Sequence, residues 1–363
     1  MKVLIVKLSS LGDVVHTLPA LGLLRSRLGP SARIDWLVEE GAAGIVEGHP
    51  LVDEVLVVKN RGWLREPAAT LAVAGRLRER RYDVVVDFQG LAKSAVWVAL
   101  SGATRRIGFA KARELSHLAL TERLGGLDSD MHAVDRYLRL AAMVSPADGE
   151  LRARFPLEVD NDAAARAAEL LESSGLSAQT PFMVLIPGAR WPTKLWSEER
   201  FAEVARRAAD ELGLGSVVVG AAADRPKGRA IVEMAGRKGV ADLTGRTTLK
   251  ELAALCAMAQ AAVSVDSGPM HVAAAAETAV VALFGPTSAK RTGPYGGGHV
   301  VVRSGAHCSP CFKKHCADPF CMRRIDAEGV MEAVRTVLRG RTLDAGGRDS
   351  APRPAGPGRG GFE

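Results

Sequence analysis

Val3-Leu4-Ile5-Val6-Lys7-Leu8-Ser9-Ser10-Leu11-Gly12-Asp13-Val14-Val15-His16-Thr17-Leu18-Pro19-Ala20-Leu21 is a short apolar strand that runs through a glycine-containing turn into a helical pattern. A strand, a tight turn and a helix in that order open a parallel α/β sheet. They also leave one carboxylate, Asp13, at the mouth of that sheet. An aspartate there serves either as a helix cap or as a positioned base, and the motif alone leaves both open.

The alternation continues outward from this stretch. Arg33 to Val38, Glu54 to Val58 and Asp83 to Asp87 read as further strands with helical patterns between them. Polar segments follow them at Glu39-Glu40-Gly41, Lys59-Asn60-Arg61 and Gln89-Gly90-Leu91-Ala92-Lys93-Ser94. In open parallel sheets ligands bind outside the carboxyl ends of the strands, so these loops form the first half of a site. After Pro146 to Gly149 and the polar stretch Glu158 to Asp162 the pattern restarts. Its strands are Phe182 to Ile186, Ser216 to Val219, Ala262 to Val265 and Val280 to Phe284. A chain of 363 residues exceeds the size at which one core keeps growing. The expected layout is therefore a domain over residues 1–155, a second over 156–340 and a disordered tail over 341–363, rich in glycine, proline and arginine. Two loop-bearing edges that face each other enclose a cleft.

No apolar run reaches the roughly 18 residues of a membrane span, and the opening strand is too short for a signal-peptide core, so a cytoplasmic chain is expected. The net charge of +7 suits an acidic partner. Nucleic acid is disfavoured, because aromatic residues are only 5% of the chain and do not interleave with the basic clusters at Arg61 to Arg65, Arg105-Arg106 and Lys111 to Arg113. A phosphorylated lipid at a membrane surface fits that charge. Cys308, Cys311, Cys316 and Cys321 form a C-x2-C-x4-C-x4-C cluster that reads as a structural zinc or iron–sulfur site or as packed free thiols, away from the chemistry. Cys256, inside an apolar helical pattern, reads as core.

In the second half, Asp266-Ser267-Gly268-Pro269-Met270-His271 ends a strand at a capping pair and opens a helix with proline. The free amides of that first turn make a seat for phosphate, with Asp266 left to hydroxyl or amide partners and His271 either reaching the ligand or packed. Lys194, after Trp191 and Pro192, supplies a point charge for a diphosphate, and Gly285-Pro286-Thr287-Ser288 adds amides and hydroxyls. No G-x-G-x-x-G follows the first strand and no Walker loop occurs, which argues against a nicotinamide dehydrogenase and against ATP hydrolysis. A non-catalytic nucleotide-binding module remains the rival from another class.

Laid out this way, the chain resembles the ADP-heptose:lipopolysaccharide heptosyltransferases of glycosyltransferase family nine over most of residues 1–335. The resemblance rests on Val6 to Leu21, Asp35 to Gly41, Tyr82 to Ser94, Ala112 to Glu114, His132 to Arg136, Asp266 to His271 and Phe284 to Ser288. It implies a GT-B fold, two Rossmann-like domains across a cleft, and metal-independent, inverting transfer of heptose from ADP-heptose without a catalytic cofactor. The implied acceptor is the Kdo of lipid A in the lipopolysaccharide inner core, met at the inner face of the inner membrane. By position Asp13 matches the general base, Lys194 the diphosphate lysine, and Asp266, Ser267, Gly268 and His271 the donor loop, with Thr287 and Ser288 beside it. Asp224 stands in for a ribose-binding glutamate. On this reading Ser9, Ser10, Gly12 and Gln89 line the acceptor side, and Lys59, Arg61, Arg65, Lys111 and Arg113 meet its phosphates. The cysteine cluster is more like members that extend an existing heptose, so that acceptor stays open as the alternative.

Overall fold

The computed structural model describes residues 1–59, 66–147, 150–177 and 179–346, with side chains as far as residue 340. Arg61, Arg65 and residues 347–363 of the expected tail lie outside the described residues. The first sheet contains β1 (Lys2–Val6), β2 (Arg33–Glu39), β3 (Glu54–Val58), β4 (Val84–Asp87), β5 (Arg105–Phe109) and β6 (Glu122–Leu124), in the order β3-β2-β1-β4-β5-β6. The second contains β7 (Phe182–Ile186), β8 (Gly215–Val218), β9 (Val240–Asp242), β10 (Ala261–Val265), β11 (Val280–Leu283) and β12 (Val300–Val302), in the order β12-β11-β10-β7-β8-β9. Every pairing is parallel.

The helices are α1 (Leu11–Leu28), α2 (Glu40–Ala43), α3 (Pro67–Arg80), α4 (Ala92–Leu100), α5 (Ala133–Ala142), α6 (Asn161–Ser173) and α7 (Glu198–Leu212). They continue with α8 (Arg225–Ala235), α9 (Leu249–Met258), α10 (Gly268–Ala275), α11 (Ala289–Thr292), α12 (Phe320–Arg323) and α13 (Ala327–Gly346). The backbone of α13 runs six residues past the expected end of the second domain at 340, so residues 341–346 are helix rather than disordered tail.

Counting from β7, the second sheet repeats the strand order of the first, and both are doubly wound Rossmann-like sheets. The strand order reverses between β1 and β4 in one sheet and between β7 and β10 in the other. Helices cover both faces, so the central strands are largely apolar; β7 and β10 are buried at every residue. The four strands not anticipated, β5, β6, β9 and β12, are three to five residues long, and β5 and β6 carry charges. Arg105 and Arg106, counted above as a basic patch, brace this edge instead. Arg105 pairs with Glu122 at 2.7 Å, and Arg106 donates to the carbonyls of Ala103 and Ala119.

A single buried apolar cluster passes from Ile5 and Val86 of the first sheet through Val14 and Leu18 of α1 and Met270 of α10 to Ile186 of the second. The close approach of α1 to α10 is possible because each helix carries a glycine in its first turn at the contact. A Cβ on Gly12 would lie 2.4 Å from Cδ2 of His271, and one on Gly268 would lie 2.9 Å from Cβ of Leu11. Further bonds tie the halves together. His132 Nε2 donates to the carbonyl of Gly293 at 3.1 Å, its Nδ1 accepting from Val134 N, and the Tyr295 hydroxyl donates to Asp135 at 2.6 Å.

Gly12→Ala forces α1 away from α10 by overpacking. The expected outcome is a loss of about 1–3 kcal/mol in urea unfolding; an unchanged midpoint would show that the two helices are free to separate.

Candidate active site

Asp13 sits in the first turn of α1, at the crevice between β1 and β4. It is helix cap and cleft-facing carboxylate at once: Oδ2 accepts from the backbone N–H of Ser10 at 3.1 Å and from its hydroxyl at 2.8 Å. Oδ1 carries only a long bond from the Tyr137 hydroxyl, 3.3 Å, with Lys7 Nζ at 3.8 Å. The side chain keeps 38% of its surface exposed. Burial by itself would raise this carboxyl, but the Lys7 charge and the two Ser10 hydrogen bonds outweigh it and hold Asp13 below the usual aspartate value. It is a carboxylate held toward its ionised form, and Oδ1 is the less committed of its two oxygens.

Across the cleft, Lys194 leaves the turn after β7 and meets Asp266, at the exit of β10, at 2.7 Å. Its ammonium also lies 4.6 Å above the Trp191 ring. Asp266 is buried and accepts a second bond from the Thr287 hydroxyl at 2.5 Å, which is the hydroxyl partner expected for it. Ser267 stands at the N-cap position of α10 without a side-chain capping bond; the first turn of α10 contains no acidic residue, and the buried Ser267 hydroxyl has no partner among the described residues. Free amides, a lysine and an unsatisfied hydroxyl therefore converge at one helix start, an arrangement suited to an anion.

Both sets open onto a cleft of about 1860 Å³. It is lined by Ser9, Ser10, Gly12, Asp13, Lys59, Gln89 and Arg113 from one side and by Lys194, Asp224, Asp266, Ser267, Gly268 and His271 from the other. Several of these also hold the frame. The Gln89 carbonyl oxygen accepts from the N–H groups of Leu8 and Ser9, Lys59 pairs with Glu66, and Asp224 accepts from Ala221 N while filling the space left by Gly188 and Gly220. Thr287 supports Asp266 and does not line the cleft, and Ser288 caps α11 away from it. Lys111 lies with Arg113, Arg136 and Arg291 in an adjoining cavity of about 480 Å³ that reaches Lys7 and Asp13 from behind. The sequence reading missed Lys7, Tyr137 and Lys93. Lys93 bonds both Ser9 Oγ and Glu39 at 2.7 Å. Lys7 and Lys93 stood inside the quoted motifs, whereas Tyr137, 124 residues from Asp13, left no signal.

The model for glycosyltransferase family 9 (heptosyltransferase) matches residues 70–320. This chain belongs to glycosyltransferase family 9. It is 34% identical to lipopolysaccharide heptosyltransferase 1 of Pseudomonas aeruginosa, over 93% of this chain and 98% of that protein. Among solved structures, E. coli heptosyltransferase WaaC with ADP superposes with a TM-score of 0.76 at 28% identity, covering 93% of this chain and all of that one. E. coli ADP-heptose lps heptosyltransferase II gives 0.76 at 27% identity, over 94% and 100%. The expected GT-B architecture is thus borne out, and among the described residues no helix is long and apolar enough to cross a membrane.

In this family 9 chain the cysteine segment braces the cleft. The thiols of Cys308, Cys311, Cys316 and Cys321 are free, and no set of three or more His, Cys, Asp or Glu among the described residues is arranged to hold a metal ion. Burial first, and the other three thiols after it, push the Cys321 thiol up. The N–H groups of Cys311 and Phe312 donate to the Pro286 carbonyl, and the Thr193 hydroxyl donates to that of Lys313, so the segment fastens the 285–288 loop and the turn before Lys194. Cys256 is core as expected, its thiol pushed up to about 12 by burial.

His271 lines the cleft and is at the same time bonded across to the first half. Its Nδ1 meets His16 Nε2 of α1 at 3.0 Å, and the His132 ring lies edge-on to His16. Burial is the chief cause that pushes His271 down to about 4 and His16 well below the usual histidine value. The unfolded chain binds protons here near pH 6.5 while the folded chain does not, so stability contributed by the neutral pair is full above pH 6.5 and is lost as pH falls toward 4. Melting temperature is expected to fall over that window, and His16→Asn to flatten the fall; a melting curve insensitive to pH from 7 to 4.5 would contradict the neutral pair.

Proposed function

We propose that this chain moves heptose from ADP-heptose to the Kdo of lipid A, with inversion at the anomeric carbon and without a catalytic metal. Supporting it is one juxtaposition: a carboxylate that turns its less committed oxygen to the cleft at one switch point shares that cleft with a lysine and a helix N-terminus at the other. In this reading the ADP diphosphate rests on the first-turn amides of α10, the Ser267 hydroxyl and Lys194, and Asp224 meets the ribose. Lys194 and the amides supply the positive field that lets the diphosphate leave. The acceptor enters beside Ser9, Ser10 and Gln89 with its anionic groups toward Lys59, Lys111 and Arg113. Asp13 takes the acceptor hydroxyl's proton as that oxygen bonds to the anomeric carbon, and the breaking carbon–oxygen bond leaves its electron pair on ADP. The basic acceptor side suits peripheral contact with an anionic membrane face.

The test is release of ADP from ADP-heptose and Kdo-lipid A. Transfer only to an already heptosylated core would assign the other acceptor, and ADP binding without release would make the chain a binding module. Asp13→Asn is expected to lower turnover by about 10²–10⁴-fold and leave ADP affinity nearly unchanged. Lys194→Ala is expected to weaken ADP affinity by about tenfold or more, because it removes a charged hydrogen bond to phosphate; calorimetric titration with ADP showing no change would remove Lys194 from the donor seat.

A further inference from the structure

Lys7 is a buried lysine to which the reaction just outlined gives no part. It follows β1 directly and is 2% exposed. Its ammonium donates to the Phe88 carbonyl at 3.0 Å and to the Tyr137 hydroxyl oxygen at 2.8 Å, and it stands 3.8 Å from Asp13 Oδ1. An ammonium has no lone pair to accept with, so Tyr137 must accept from Lys7 and turn its own proton to Asp13 Oδ1. The three side chains form a directed chain from β1 through α5 to α1. A charge so deeply buried costs stability unless matched, and replacing such a pair by apolar residues is often harmless to folding. Its place one strand-end from the proposed base gives it a use there.

We propose that Lys7, through its charge and through the Tyr137 hydroxyl it orients, is a positioning residue that keeps Asp13 ionised and aims Oδ1 into the cleft while anionic substrates enter. The proposal rests on Asp13 being the general base. Two observations support it. Ser10 already occupies Oδ2 twice, so only Oδ1 has room for the acceptor's proton, and Oδ1 is the oxygen that Tyr137 and Lys7 face. Burial would otherwise favour the protonated carboxyl, and a diphosphate nearby would push the same way; Lys7 is the nearest opposing charge.

The other titratable groups around this set do not replace it. Asp87 of β4 faces Lys7 and is committed to the N–H groups of Gln89 and Gly90 and the Ser94 hydroxyl. His271 of α10 and His16 of α1 are held neutral by burial. Lys111, Arg113, Arg136 and Arg291 line the cavity behind, Arg136 over the Phe109 ring and Arg291 over Phe312.

The experiment is the pH dependence of kcat from pH 5 to 9, at saturating ADP-heptose and Kdo-lipid A, for the full chain and for Lys7→Met, Lys7→Arg and Tyr137→Phe. Lys7→Met is expected to move the acid limb to higher pH, with turnover at pH 6 down by about tenfold or more and recovering toward pH 8–9. Lys7→Arg keeps the charge and is expected to return the limb to its original position. Turnover lost equally at every pH, or a limb that does not move, would reduce Lys7 to a structural lysine. Should Lys7→Met fail to fold, Tyr137→Phe carries the test, since it removes one hydroxyl without changing shape; a smaller upward shift is expected, and none would overturn the proposal. Asp13→Asn with undiminished turnover would instead refute the base itself, whereas an inactive Asp13→Asn beside an unmoved Lys7→Met limb refutes only the role of Lys7.

Discussion

The close contact between the starts of α1 and α10 is the constraint on which the site depends. Each helix leaves the switch point of its own sheet, and each presents a glycine where a side chain would hold the two apart. Because they meet end to end, the two crevices that a doubly wound sheet offers to ligands open onto a common space. The ends are not equivalent. Asp13 neutralises the first turn of α1, whereas the first turn of α10 has no carboxylate of its own. One side is thus supplied with negative charge and the other left positive, the polarity that a proton acceptor facing a diphosphate requires.

A buried lysine–aspartate pair stands on each side of the cleft, and the two pairs differ in access. Lys194 keeps 17% of its side chain exposed beside Asp266 and Trp191, so a ligand's phosphate can compete for it. Lys7 is 2% exposed and bonded to Phe88 and Tyr137, so it acts on the cleft through Asp13. In the second pair the exposed member is the cation, in the first the anion. The same two residue types therefore serve an incoming anion on one side and an incoming hydroxyl on the other.

Much of this was legible in the residues. The apolar runs of β1, β7 and β10 and the turns after them located the sheets, their loop-bearing edges and Asp13, Lys194 and Asp266, because a strand buried on both faces is written as a continuous apolar run. The short edge strands were not legible, since β5 begins with two arginines whose partners include Glu122 and the carbonyls of Ala119, Met143 and Val144, all more than ten residues away. Thr287 reads as a ligand contact because it stands in the right loop, and His271 as either reaching the ligand or packed. Thr287 instead supports Asp266, and His271 lines the cleft while it bonds His16 across 255 residues.

The sequence by itself determined the doubled strand–helix alternation, the polar loops at the strand ends and the chemical types available in them, since these follow from local periodicity and capping. Only the tertiary structure decided that Asp13 holds its helix with one oxygen and offers the other, that Gly12 and Gly268 are spacers, and that Lys7 and Tyr137 belong to the site. Apart from the local bond of Asp13 to Ser10, those facts depend chiefly on contacts between residues more than a hundred positions apart, where a difference of an ångström separates a hydrogen bond from a bare charge, and no local pattern encodes such a distance.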